Sequence, residues 1–171
     1  MAVSVLHKAF YFPICFLVKR HKFQLRSLKT TITRMDIWHL DNNHSTALLL
    51  WRTDKDNFRI MQSGEFKTLL NNPDYILLDN KYAEIFKKLS DQITFQKVKI
   101  TGNNLDIAKD NYIELNILNS ITPISVKTLD GNGLKIWKYE GQIFVSSDLK
   151  TELVKICKND FRFTIGFSNF G

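Results

Sequence analysis

The chain has 171 residues, of which 24 are Lys or Arg and 17 are Asp or Glu. The first 34 residues hold seven of the basic residues and no acidic one, and 24 less these seven leaves 17 basic against 17 acidic residues from Met35 onward. Because residues 35–171 carry no net charge, the positive charge of the whole chain does not indicate a nucleic-acid-binding domain. Two cysteines are too few for a disulfide framework or a thiolate metal site. A reducing compartment is therefore expected.

Residues 1–34 are predicted to be a basic N-terminal extension outside the fold. The apolar run Ala9–Val18 is too short to span a bilayer, which takes about 20 apolar residues, and the basic cluster that follows it does not suit a secretory signal. A mitochondrial transit peptide fits the lack of acids, and peripheral membrane contact fits aromatic residues beside basic ones. The change of composition at Met35 favours a third interpretation, in which the domain comprises residues 35–171.

The first part of this domain predicts short strands and one helix. Alternating or apolar runs indicate strands at Met35–Leu40, Thr46–Arg52 and Phe58–Met61, separated by polar turns. Ser63 is a suitable N-cap for a helix over Ser63–Leu70, which the Asn- and Pro-containing segment at 71–74 ends.

The stretch Tyr75–Ile100 predicts a strand, a helix and a second strand. Tyr75–Leu78 is an apolar run, and Asp79 with Asn80 can cap the helix that follows. The helix, predicted over Lys81–Leu89, carries one apolar stripe at the spacing of a helical face, formed by Tyr82, Ile85, Phe86 and Leu89. Thr94–Ile100 then alternates as a strand does.

The same order recurs over Ile143–Phe167. Ile143–Val145 predicts a strand, the helix Asp148–Cys157 presents Leu149, Leu153 and Ile156 on one face, and Phe161–Phe167 alternates. The two strand–helix–strand modules resemble a loose duplication, although two independent units of the same order would give the same pattern.

The segment between the modules predicts further strands. Tyr112–Leu118 is apolar, Ile124–Leu129 alternates, and Asp130–Gly133 is a strong turn signal before Leu134–Tyr139. The sum is an α+β fold, with mostly antiparallel sheet covered by two or three short helices.

No motif in the chain indicates a common enzyme class, because nucleotide-binding glycine loops, zinc-protease motifs and nucleophile elbows are all missing. Two Asp-x-Lys triplets, Asp79–Lys81 and Asp148–Lys150, leave open a metal-dependent nuclease or hydrolase, since a carboxylate and a lysine at a strand end can hold a metal ion and an activated water. Helix capping by these two carboxylates is the favoured interpretation.

Other metal-binding patterns are weak. His39, Asp41 and His44 cluster beside Asp36 without the firm spacing of a zinc site, and Asp54–Asn57 starts like a calcium loop but lacks its later ligands. The sequence therefore predicts no catalytic residue, no metal and no cofactor.

The C-terminal third resembles a known family. The strand, turn and strand over Ile136–Ser146, the acidic Asp148 with Leu149-Lys150, the short helix and then Phe161-Arg162-Phe163 resemble the immunity proteins of bacterial polymorphic-toxin systems, a family first catalogued as uncharacterised domains. The earlier unit Tyr75–Ile100 is similar to another part of that pattern, and residues 1–34 lie outside it.

The resemblance implies a cytoplasmic protein that binds and neutralises one cognate protein toxin without catalysis and without a small-molecule substrate. Nucleic acid or membrane contact is expected only through the basic extension. Polar turns carrying carboxylates beside aromatic residues offer both anchor area and charge, so they are the predicted docking site. The predicted partner-binding residues are Trp38, Asp41, His44, Trp51, Arg52, Asp54 and Asp56.

Overall fold

The computed structural model describes residues 36–42, 47–102, 106–157 and 159–167, so the predicted extension 1–34 and His44 lie outside the described residues. The strands are β1 Ile37–Asn42, β2 Leu49–Arg52, β3 Asn57–Gln62, β4 Leu69–Asn72, β5 Tyr75–Asp79, β6 Ile93–Thr101, β7 Ile107–Ile117, β8 Ile136–Tyr139, β9 Gln142–Ser146 and β10 Phe161–Ile165. The α-helices are α1 Ala83–Lys87 and α2 Ser147–Ile156, and short 3₁₀ helices cover Asn80–Tyr82 and Ser125–Thr128.

The strands form two separate sheets. The four-stranded sheet has the order β10-β1-β9-β8, and the six-stranded sheet has the order β2-β3-β6-β7-β5-β4. Neighbouring strands are antiparallel except for β3 and β6, which run parallel. The predicted α+β class is confirmed. Among the helices of the described ranges, none is long and apolar enough to cross a membrane.

Both predicted strand–helix–strand modules occur, and both have the same arrangement. β5 and β6 each pair antiparallel with β7, which lies between them, and the 3₁₀ helix and α1 connect the two outer strands. Likewise β9 and β10 each pair antiparallel with β1, and α2 makes the connection. Each helix therefore spans the width of one inserted strand.

The predicted helix Ser63–Leu70 is wrong. Leu69–Asn72 is strand β4, paired with β5 across a turn that contains Pro73. Leu69 and Leu70 belong to apolar clusters on opposite sides of the sheet, which suits consecutive strand residues and not a helix with one buried face. Pairing with β5 therefore overrides the local helix signal.

Two smaller expectations also differ from the structure. The alternating segment Ile124–Leu129 contains a 3₁₀ helix, because the hydroxyl groups of Thr122 and Ser125 bond to each other's backbone. Ile156, predicted to face inward, is 63% exposed at the end of α2, and Cys157 takes the buried place instead.

The main core is shared by both sheets and both helices. The predicted helical stripe Tyr82, Ile85, Phe86 and Leu89 is buried there, together with Leu149 and Leu153 of α2. A second cluster, centred on Phe58, lies on the other side of the six-stranded sheet, and a third, centred on Phe144, lies on the other side of the four-stranded sheet.

Two buried side-chain amides connect the sheets. The Asn42 amide at the end of β1 donates to the carbonyl of Leu69 in β4, and its Oδ1 accepts the Leu69 N–H at 3.0 Å. Gln92, just before β6, donates to the carbonyl of Leu134 at 3.0 Å and accepts the N–H of Ile136 in β8 at 3.2 Å. Each amide therefore provides hydrogen-bond partners for backbone groups that do not bond to a neighbouring strand.

We expect Asn42→Asp to destabilise the fold by about 2–4 kcal/mol, because a carboxylate cannot donate to the Leu69 carbonyl and must be desolvated beside it. Asn111→Asp on the exposed side of β7 is the matched control and should change the unfolding free energy by less than about 0.5 kcal/mol. Urea denaturation of both variants measures the difference. Equal losses in the two variants would contradict a structural role for Asn42.

The turn between β8 and β9 docks closely against the β4–β5 turn. Gly141 has φ +75°, and a Cβ added there would lie 2.2 Å from the carbonyl oxygen of Asn72. Asn71 donates its side-chain N–H to the Gly141 carbonyl at 3.1 Å. A glycine is thus required at 141 for both backbone conformation and close approach.

Gly133 gives a matched comparison for Gly141, since it has φ +76° but open space where a Cβ would stand. We expect Gly133→Ala to cost about 1–2 kcal/mol from backbone strain alone. Gly141→Ala should cost about 1–3 kcal/mol more, because the turn must move away from Asn72. Thermal and chemical denaturation of both variants test this order, and a Gly133→Ala loss as large as that of Gly141→Ala would contradict the close contact.

Candidate functional site

The structure brings four of the predicted docking residues together at the β2–β3 hairpin. Trp51 and Arg52 end β2, and Asp54 and Asp56 are exposed in the turn that follows. Trp51 is 64% exposed and lies on the outer face of the hairpin, whereas Arg52 projects from the opposite face. The two carboxylates also form exposed hydrogen bonds with the residue that follows each of them: Asp54 accepts the Lys55 N–H at 2.7 Å and Asp56 accepts the Asn57 side-chain amide at 2.8 Å.

Two other predicted docking residues, Trp38 and Asp41, lie elsewhere. Trp38 and Asp41 are on β1 in the four-stranded sheet and not on the β2–β3 hairpin. Asp41 forms an ion pair with Arg162 at 2.9 Å. The sequence placed these residues in two polar turns and at the ends of the strands beside them, and it could not show that β1 and β2 belong to different sheets.

Arg52 is a fixed structural residue. Its guanidinium donates to both carboxylate oxygens of Glu114, one of them at 3.0 Å, and to the backbone carbonyls of Lys55 and Asp74 at 3.1 Å each. It also stacks over the Phe58 ring, 4.5 Å from the centroid. The hydrogen bond that Arg52 donates to Glu114 outweighs partial burial and raises the pKa of Arg52 above its usual value. This network ties the end of β2 to the β4–β5 turn and to β7.

A cleft of about 530 Å³ opens beside this network. The β5–β7 ladder ends at the Leu77–Glu114 pair, and the cleft occupies the space beyond it, where the β8–β9 turn and the loop Ser120–Thr122 form the far wall. Gln96 on the cleft wall donates to the Lys55 carbonyl at 3.0 Å, so the β2–β3 turn adjoins this end of the cleft.

The lining of the cleft is rich in carboxylates. Asp74, Glu114 and Glu140 line it together with one cation, Lys138. Glu140 has φ +47°, an unfavourable conformation for a residue with a side chain, and with Gly141 it forms the two-residue hairpin turn. The Glu140 carboxylate accepts a hydrogen bond from Tyr139, and this bond raises the pKa of the Tyr139 hydroxyl.

Sequence reasoning missed Asp74, Glu114 and Glu140 as site residues. Glu114 carried one usable signal, since it is an isolated carboxylate inside the apolar run Tyr112–Leu118. An acidic side chain in such a strand requires a partner or an opening to solvent. The convergence of the three on one cleft depends on strand pairing, which the sequence alone does not give.

In both Asp-x-Lys triplets the side chains have other partners. Asp79 caps the 3₁₀ helix by accepting the Lys81 N–H at 3.1 Å, as predicted, and the Lys81 ammonium lies 3.3 Å from Asp160. Asp148 accepts the N–H of Gly133 at 2.9 Å, while the N-cap of α2 is Ser146. The predicted capping of the second helix by Asp148 is thus wrong, because Ser146 provides the cap.

The residues of the weak metal-binding pattern around His39 have separate partners in the structure. His39 is buried, and its Nε2 lies 2.8 Å from the Gln142 side-chain oxygen, whereas Asp41 pairs with Arg162. Within the described ranges no group of three or more His, Cys, Asp or Glu side chains is placed to hold a metal ion.

No protein-family model, no curated protein and no solved structure matches this chain.

We expect Arg52→Lys to destabilise the fold by about 1–3 kcal/mol. The reason is that an ammonium group cannot donate hydrogen bonds to all four acceptor oxygens and also stack on the Phe58 ring. Arg162→Lys is the matched control, since Arg162 makes one exposed ion pair and its exchange should cost less than about 0.5 kcal/mol. Urea denaturation distinguishes the two. A loss at Arg52 no larger than at Arg162 would contradict the anchoring role of Arg52.

Proposed function

We propose that this protein binds a protein partner without catalysis, and that the partner is a cognate toxin which it neutralises, as the immunity proteins it resembles do. The binding site in this proposal is the cleft with the adjoining β2–β3 turn. The partner contributes a basic surface.

The proposal rests on an excess of negative charge in the cleft and the β2–β3 turn, although residues 35–171 as a whole carry equal numbers of acidic and basic residues. Arg52 neutralises Glu114, and the remaining carboxylates are Asp74 and Glu140 in the cleft and Asp54 and Asp56 in the turn. Only Lys138 in the cleft and Lys55 in the turn oppose them among the described residues of these two parts. Such an excess of negative charge attracts a basic partner, accelerates association and disfavours acidic competitors.

The rigidity of the region supports binding as well. Arg52 fixes the β2–β3 turn against the Asp74 carbonyl, and Gly141 packs the β8–β9 turn on Asn72. A surface that is already ordered loses less conformational entropy when a partner binds, which favours a tight complex. This rigidity favours binding and is not in itself a catalytic feature. The two carboxylates that a hydrolase could use, Asp79 and Asp148, accept hydrogen bonds from backbone N–H groups.

The test is co-expression of the full chain with each toxin encoded beside its gene, followed by measurement of the dissociation constant of any pair that restores growth. Charge reversal of Asp54 and Asp56 together, or of Glu140 alone, should weaken the complex by more than about tenfold, because each places a cation where the partner is basic. The melting temperature should stay close to that of the parent protein for the exposed turn pair.

Charge reversal at Glu84 and Asp91 provides the matched control, since both are exposed acids that do not line the cleft. These variants should bind nearly as the parent does. The proposal fails if no neighbouring toxin is neutralised, or if the control variants weaken the complex as much as the cleft variants do.

A further inference from the structure

A second cavity, also of about 530 Å³, lies between α2 and β1, away from the acidic cleft. It is lined by one aromatic residue of β1 and by one side of the helix, with the residues Trp38, Ser147, Lys150, Thr151, Val154 and Lys155. Its volume falls in the range of small-molecule sites, about 300–1,000 Å³. We call it the Trp38 pocket.

The walls of the Trp38 pocket are mainly apolar and fixed in place. The Trp38 indole N–H donates to the Ser147 hydroxyl at 3.1 Å, and that hydroxyl donates to the Asp36 carbonyl at 3.1 Å. The indole ring is thus held in one orientation with its face toward the helix. Val154 is 42% exposed, an apolar side chain available to a ligand.

Lys150 brings a positive charge into this apolar setting. Its Nζ lies 2.9 Å from the centroid of the Trp38 ring and 5.9 Å from that of Phe163. No ion pair among the described residues involves Lys150, whereas the neighbouring Lys155 is paired with Glu152 at 2.7 Å. Burial lowers the pKa of Lys150, and the charge of Asp36 acts in the opposite direction.

A cation that lies against an aromatic face and forms no ion pair within the described ranges stabilises an anion that enters beside it. We propose that the Trp38 pocket binds a small organic carboxylate with an apolar body, in which the carboxylate accepts hydrogen bonds from the Lys150 ammonium and the hydrocarbon part lies on Trp38 and Val154. This site is independent of the proposed toxin-binding cleft.

The experiment is calorimetric titration of the full chain with three ligands of the same length, octanoate, octan-1-ol and octylammonium. Octanoate should bind more than about tenfold more tightly than octanol, because it gains a charge-assisted hydrogen bond, and octylammonium should bind most weakly. Tryptophan fluorescence followed in parallel reports whether binding changes the environment of an indole.

Lys150→Met keeps most of the aliphatic stem and removes the charge, so octanoate should lose more than about tenfold in affinity while octanol binds unchanged. Lys87→Met on α1, an exposed lysine, is the control and should leave both affinities as they were. Val154→Glu tests the apolar wall separately and should weaken octanoate through repulsion. Absence of octanoate binding, equal affinity for octanoate and octanol, or full octanoate affinity in Lys150→Met would overturn the proposal.

Discussion

The relative position of the two sheets depends on buried side-chain amides that bond from one sheet to the other. Asn42 binds both backbone groups of Leu69, and Gln92 binds Leu134 and Ile136. A buried amide that meets its partners on both sides stabilises one relative position of the sheets, because any shift leaves a donor or an acceptor unsatisfied. Apolar packing alone tolerates such shifts more readily.

This fixed position also creates the candidate site. The cleft exists where β7 continues past the end of its ladder with β5 and where the β8–β9 turn of the other sheet closes the gap. Gly141 allows the turn to approach Asn72 without a side chain between them, and Arg52 holds the opposite end. Carboxylates from three separate parts of the chain thereby line one cleft, and the proposed binding of a basic partner rests on this arrangement.

The sequence predicted the local structure well where periodicity and caps agree. The stripe from Tyr82 to Leu89 is buried as its spacing indicated, and Asp79 caps the turn before α1. It failed where a long-range contact decides the outcome, as at Leu69 and Leu70, which form a strand because β5 lies beside them. The division of the strands between two sheets, and with it the separation of Trp38 from Trp51, is equally non-local.

The candidate sites, too, were predictable only where their residues are close together in the sequence. Trp51, Asp54 and Asp56 stay together because they are neighbours in one hairpin, whereas Glu114 and Glu140 meet only through the docking of two sheets. The Trp38 pocket likewise joins residues more than 100 positions apart, as the hydrogen bond between Trp38 and Ser147 shows. Chemistry that is contained in one turn can be inferred from a sequence, and chemistry assembled by tertiary contacts needs the structure.

The most direct test of the joined-sheet account is native-state hydrogen exchange of the Leu69 and Ile136 amide protons, which the Asn42 and Gln92 side chains accept. If the two sheets open only as one unit, both protons exchange with the free energy of global unfolding and with the same denaturant dependence as protons in the centre of β7. Exchange of either proton with a smaller free energy of opening than that of the β7 protons would contradict the claim that these amides hold the two sheets in one cooperative structure.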